Sequence, residues 1–187
     1  MVATEDESAV SNLLAAYEGE LNAHARYKAF AVKAEAEGMN GAASLFRAAA
    51  RAEQIHASNH ARVLRRMGGE ATAEIRPFRV KSTLENLKTA LGGEQHEIDK
   101  LYPQFLIQAS SQLDTAAARS FVWAMEAEKT HARLYEDAVV AMEAGPGWTQ
   151  EQLEFHVCTL CGYTAKNQEA DNCPACNFVW DRFERIR

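Results

Sequence analysis

The 187-residue sequence predicts a mainly α protein: a four-helix bundle with one long crossover, followed by a small metal-binding module. Three observations lead there: four long stretches of helical apolar periodicity, one polar connection much longer than the others, and four cysteines confined to the C-terminal tail.

The helical stretches run over about residues 5–37, 41–67, 82–110 and 114–144, with few breakers inside them. Gly38 and Gly41 separate the first two and Ser111 to Asp114 the last two, and turns this short make antiparallel hairpins. Between the hairpins lies MGGEATAEIRPFRVKS, a polar link containing Pro77. Helices of about 27 residues are ~40 Å long, and a link of about 14 residues reaches ~46 Å when extended. The link can therefore run the length of the bundle, as a crossover must. After Ala144, GPGWTQEQ ends the helical pattern and begins a tether. The expected division is a bundle over residues 1–146, a linker over 147–154 and a cysteine module over 155–187.

Composition limits the functions open to this fold. With 47% hydrophobic and 25% charged residues, the chain can bury one substantial core plus a small appended module. A net charge of −6 with dispersed basic residues gives no general attraction to nucleic acid or anionic membranes. The start, MVATEDESAVSNLL, is acidic where a secretory leader is basic, and no apolar run approaches the ~20 residues of a membrane span. A cytoplasmic protein is expected, with no nucleic-acid or membrane partner.

All four cysteines fall within HVCTLCGYTAKNQEADNCPACNF. In a reducing compartment, two C-x-x-C pairs with eleven residues between them suit tetrahedral thiolate binding of a metal, with Cys158, Cys161, Cys173 and Cys176 as ligands. A module of about 30 residues is too small to fold on its apolar core alone. Phe155, Tyr163, Phe178, Trp180 and Phe183 supply apolar bulk around the sulfurs. Taken alone, the spacing suits a structural zinc site slightly better than an iron site.

The bundle sequence repeats a motif. EQIH at 53–56 and EKTH at 128–131 each place a carboxylate and an imidazole three residues apart, on one helix face and within reach of one ion. A shift of 75 residues also carries Tyr27 onto Tyr102 and Phe46 onto Phe121, whereas Glu20 reaches Glu94 at a shift of 74. The third helix thus holds one extra residue between Glu94 and Tyr102, which a π-bulge accommodates. One E-x-x-H in a charged, alanine-rich helix is usually a solvated face. Two, on equivalent helices and each with a glutamate-bearing partner helix, match the carboxylate-bridged dimetal design. Glu20 and Glu94 supply the single glutamates, and Glu53, His56, Glu128 and His131 the paired ligands.

YEGELNAHARYKAFAVKAEAEG, LFRAAARAEQIHASNHARVL, GGEQHEIDKLYPQF, AMEAEKTHARLYEDA and the four-cysteine tail closely resemble rubrerythrin over essentially the whole chain. The resemblance implies a ferritin-like diiron bundle and a C-terminal rubredoxin-like β domain: two non-haem irons in the bundle and one iron held by the four cysteines. It implies a peroxidase that reduces hydrogen peroxide to water in oxidative-stress defence, with a redox donor protein or reductase as electron source. Glu20, Glu53, Glu94, Glu97, Glu128, His56 and His131 match the family's diiron positions. Five glutamates bring about −5 against about +4 for two ferrous ions, so the reduced site should shed a carboxylate. His56 would replace Glu97 on one iron, in keeping with the ligand exchange of the family. By the same resemblance Glu53 and Glu128 bridge, Glu20 holds the moving iron, and Glu94 with His131 the stationary one. The displaced Glu97 is the candidate acid for O–O cleavage.

Tyr27 and Tyr102 are expected to orient ligands through their hydroxyls. His24, His60 and His96 sit among polar residues and are expected to be solvated, Glu126 lies on another face from Glu128, and Phe121 and Trp123 are expected in the core. Counted along the helix, the thiolate site begins roughly 20 Å beyond the dimetal centre. That distance favours a head-to-tail homodimer in which electrons cross between subunits. Two other readings stay open: a ferroxidase that stores iron, and a zinc-ribbon scaffold that binds a protein partner.

Overall fold

The computed structural model describes residues 8–145 and 147–187. Residues 1–7 and Pro146 lie outside them; these include the acidic start, the first positions of the first expected helix and the end of the expected bundle segment.

Helix α1 (Ala9–Ala36) begins at Ser8, which exchanges side-chain to backbone hydrogen bonds with Ser11 in a capping box, worth about 1 kcal/mol. Gly38, at φ +73°, turns the chain into α2 (Asn40–Arg66). Residues 67–82 then cross over without helix or strand. Ser82 and Glu85 form a second capping box at the start of α3 (Thr83–His96). A π segment (Glu97–Leu101) follows, and α4 (Tyr102–Ser111) completes the third rod. The extra residue thus lies where the interrupted repeat places it. Pro103 has no N–H to give the preceding turn, so the regular ladder is already broken there and a wider turn costs little more. Asp114 accepts from the Ala116 and Ala117 amides and caps α5 (Thr115–Ala144).

Two apolar clusters close the bundle on either side of its polar centre. One gathers Tyr27, Phe30, Phe46, Leu87 and Tyr135; the other Leu13, Leu64, Tyr102, Phe105 and Phe121. Among the described residues, no helix is long and apolar enough to cross a membrane.

The tail forms a three-stranded antiparallel sheet in the order β2, β1, β3, with β1 at Phe155–Cys158, β2 at Thr164–Ala165 and β3 at Phe183–Ile186. It is seated on the bundle. Phe155 and Val157 join the first apolar cluster, so Phe155 faces the bundle rather than the sulfurs. Arg51 grips Glu184 with two hydrogen bonds of 2.5 and 2.9 Å, and Asn59 donates to the Leu160 carbonyl at 2.8 Å. The tether packs just as closely: a Cβ on Gly41 would collide with the Trp148 and Glu151 carbonyls. Trp123 is only half-buried and packs against the cysteine cluster, a correction to its expected place in the bundle core.

Candidate metal centre

The E-x-x-H repeats bring their side chains to one buried point. Two donor groups form: Glu20, Glu53, His56 and Glu128, and Glu53, Glu94, Glu128 and His131, each with ligand atoms within 4.8 Å of one another. Glu53 and Glu128 belong to both groups, so spacing in the fold singles out the shared pair that spacing in the sequence could not. Glu97 belongs to neither. It is half-buried in the π segment, on the wall of a pocket of about 470 Å³ that Glu18, Asn22, Arg26, Arg76 and Phe78 also line.

The donor atoms fit two cations. Glu20 Oε2, Glu53 Oε1 and Glu128 Oε1 are buried without a hydrogen bond. They face His56 Nδ1 at 3.7 Å, His131 Nδ1 at 3.5 Å and His56 Nδ1 at 2.8 Å respectively, and none of these contacts meets both the distance and the alignment of a hydrogen bond. A buried carboxylate oxygen left unpaired is costly, and a metal ion in the gap supplies its partner. Burial raises Glu53 and Glu94 well above the usual carboxylate range, and the neighbouring carboxylates push them the same way. Burial likewise raises Glu97, with Glu20, Glu128 and Glu94 adding to it. For His56 burial works downward, but Glu128, Glu20 and Glu53 overcome it and raise its pKa well above that of free imidazole. For Glu20 burial works upward, and His56 and His60 overcome it to hold the carboxyl well below its usual range. Burial lowers His131 to about 4, leaving it a neutral ligand.

The four sulfurs also converge, with Cys158 to Cys176 at 3.6 Å and Cys161 to Cys173 at 3.5 Å. Metal–sulfur bonds of about 2.3 Å in a tetrahedron put sulfurs ~3.8 Å apart, so the cage needs little adjustment. Tyr163, Phe178, Trp180 and Phe183 surround it.

The expected distance between the two centres is overturned. His56 Nε2 lies 3.0 Å from the Cys161 carbonyl of the same chain, and His131 Nε2 lies 3.1 Å from the Thr164 hydroxyl. Counting along α5 failed because the tether turns back along the bundle instead of continuing away from it. Each histidine thus turns Nδ1 toward the carboxylates and gives its Nε2–H to the tail, so Nδ1 is the nitrogen that would meet an ion. Gly162 makes the approach possible: its φ is +81°, and a Cβ there would lie far inside contact distance of the His56 ring.

Tyr27 donates to Glu94 at 2.5 Å, and Tyr102 donates to Glu20. Burial raises both phenols well above their usual pKa, so both keep their protons. The expected solvation of His60 is also overturned. It is fully buried, 2.8 Å from Ser120 Oγ at Nδ1 and 3.3 Å from the Tyr102 hydroxyl at Nε2. Its spacing of four from His56 put it on the inward face, a signal that local polarity obscured. His24 is half-buried with Nδ1 2.6 Å from the Ala50 carbonyl, and His96 is exposed.

The rubrerythrin family model matches residues 11–139. Rubrerythrin-2 of Clostridium acetobutylicum is 34% identical over 92% of this chain and 93% of its own length. Nigerythrin of Nitratidesulfovibrio vulgaris is 34% identical over 94% of this chain and 85% of its own. A structure of nigerythrin in a mixed-valence state matches with a TM-score of 0.87 at 34% identity, covering 99% of this chain and 91% of that one. The fully reduced, all-ferrous state of nigerythrin matches with a TM-score of 0.86 over the same shares.

Proposed function

The chain belongs to the rubrerythrin family, and from that premise we propose that it is a cytoplasmic non-haem diiron peroxidase reducing hydrogen peroxide to water. The bundle carries the family's carboxylate and histidine diiron site and the tail its four-cysteine iron site. The observation that carries the reading is the joining of these two sites by the contact between His56 and the Cys161 carbonyl. A storage ferroxidase has no need of such a link, and a scaffold has no need of unpaired carboxylates.

When bound, the bundle irons supply two electrons to the peroxide O–O bond, and the thiolate iron returns electrons drawn from a redox partner. The chain's own residues do the rest. Glu53 and Glu128 hold the centre from both sides, while Glu20 with His56 and Glu94 with His131 complete its ends. His56 stands among the donors while Glu97 stands off, the arrangement expected of the ferrous state. Glu97 faces the pocket, where burial favours its protonated form, so it is placed to give a proton to a departing oxygen. The two aromatic clusters keep bulk water out. The segments 1–146, 147–154 and 155–187 divide these tasks into peroxide site, tether and electron relay.

A head-to-tail homodimer stays in the proposal on the family resemblance, without the distance argument. The function is tested by metal analysis and turnover. Iron in both sites and rapid peroxide consumption with a reductase are expected. Zinc in the thiolate site with an empty bundle, or iron mineral accumulating without peroxide turnover, would reject it.

A further inference from the structure

An electron enters the four-cysteine cage only from a carrier held close to it, and a protein carrier needs a surface to hold. On that demand, and so on the electron-relay part of the functional reading, we propose that Arg62, Arg66, Arg119 and Trp123 form the docking surface of an acidic one-electron carrier protein. On docking, the carrier loses one electron and ferric iron in the cage becomes ferrous; no bond or proton changes hands.

The surface lies where α2 and α5 meet the first cysteine knuckle. Arg62 and Arg66 stand exposed on α2 and Arg119 on α5, and among the described residues none of the three is paired with a carboxylate. They ring a pocket of about 70 Å³ that Asn59, Ser120 and Trp123 also line, with room for a carboxylate group but not for a whole molecule. A guanidinium fork binds a carboxylate through two hydrogen bonds at once, and Arg and Trp are the side chains that most often anchor protein interfaces. Arg119 already lies over the Trp123 ring, 5.6 Å from its centre, so both are held in place before a partner arrives.

The pocket is joined to the cage. Arg62 donates to Asn59 Oδ1, Asn59 Nδ2 donates to the Leu160 carbonyl at 2.8 Å, and Leu160 is bonded to Cys161. Trp123 and Leu160, both half-buried, pack against the cysteine cluster from this side. A carrier seated on the arginines therefore rests against the residues that enclose the sulfurs. Charge decides what kind of carrier fits. Glu169 and Asp171 stand exposed just ahead of Cys173, and the chain as a whole carries −6. An acidic carrier is repelled by that approach and drawn to the arginines, so the same charge that attracts it also selects where it docks.

Two measurements on the full-length, iron-loaded protein test the docking, with flavodoxin, an acidic one-electron carrier, as the probe. Fluorescence anisotropy should show flavodoxin binding at low salt, and Arg66→Glu combined with Arg119→Glu should weaken the binding about tenfold or more and abolish its salt dependence. Stopped-flow reduction of the thiolate iron by flavodoxin hydroquinone should slow in step, while reduction by dithionite, which needs no docked protein, stays within about twofold. Lys28→Glu combined with Arg79→Glu makes the same charge change at exposed positions of α1 and the crossover and should leave both measurements near wild type. An equal loss there, or no flavodoxin binding by the wild-type protein, would overturn the site. So would release of a homodimer into monomers by the Arg66→Glu, Arg119→Glu pair, which would make the patch a subunit interface. Tighter binding of an RNA oligonucleotide than of flavodoxin, lost in that variant, would overturn it in favour of nucleic acid. Neither measurement uses peroxide, so a protein that docks flavodoxin at this patch but does not reduce peroxide would reject the peroxidase reading and keep the docking surface.

Discussion

The two halves of the bundle are built on one repeated plan and differ in what surrounds it. Glu20 meets Tyr102, which is backed by His60 and Ser120; Glu94 meets Tyr27, which sits in an apolar cluster with Tyr135 and Leu45. The ligands are equivalent, but one half is polar out to a surface pocket and the other is closed by aromatic rings. The tail treats them differently too, meeting His56 through the Cys161 carbonyl and His131 through the Thr164 hydroxyl. Duplication supplies a symmetric cage, and its neighbours make the two ends chemically different.

The largest expected effect removes what the halves share. Glu53→Ala or Glu128→Ala should lose bundle iron and at least ~100-fold in peroxidase activity, with the thiolate-iron absorption intact. Normal turnover in either variant would remove the shared-ligand premise. Whether one tail serves both halves of its own bundle can be read from mixed subunits, one carrying Cys158→Ala and Cys161→Ala and the other Glu53→Ala. Since the tail seats on its own chain, the mixture should stay inactive; recovered activity in verified heterodimers would show exchange between subunits.

Gly162→Ala should strike the His56 side first, because the added methyl group has no room beside the ring. Electron return from the thiolate iron should slow by about tenfold or more while peroxide oxidation of the reduced bundle holds, as stopped-flow absorbance would record. Thr164→Val removes only the partner of His131. Iron retention against a chelator should fall, by no more than about tenfold, and Thr164→Ser should restore it. The smallest effect belongs to Tyr135→Phe. Its hydroxyl is buried without a partner, so its loss should change stability by about 1 kcal/mol or less, toward greater stability, in thermal unfolding. A loss of stability would mean that the Tyr135 hydroxyl has a hydrogen-bond partner.

Local chemistry wrote much of this protein directly into its sequence. Helical periodicity, capping serines and short turns depend on residues a few positions apart, so the four rods and the crossover were legible. The E-x-x-H repeats and paired C-x-x-C motifs were legible for the same reason, since ligands on one helix turn or one knuckle keep their spacing in the fold. Even the π segment showed, as a repeat that slipped by one residue. Burial of His60 and the seating of the tail were not legible, because each depends on surfaces far apart in the chain. His60 meets a tyrosine 42 residues away and a serine 60 residues away. His56 meets a carbonyl 105 residues away, through a glycine whose value lies only in the ring opposite it. The sequence alone determined which ligands exist and which helices carry them. Tertiary packing decided which pair is shared, which histidine faces which part of the tail, and which end of the cage is backed by polar side chains, because those contacts depend on how separately formed elements dock.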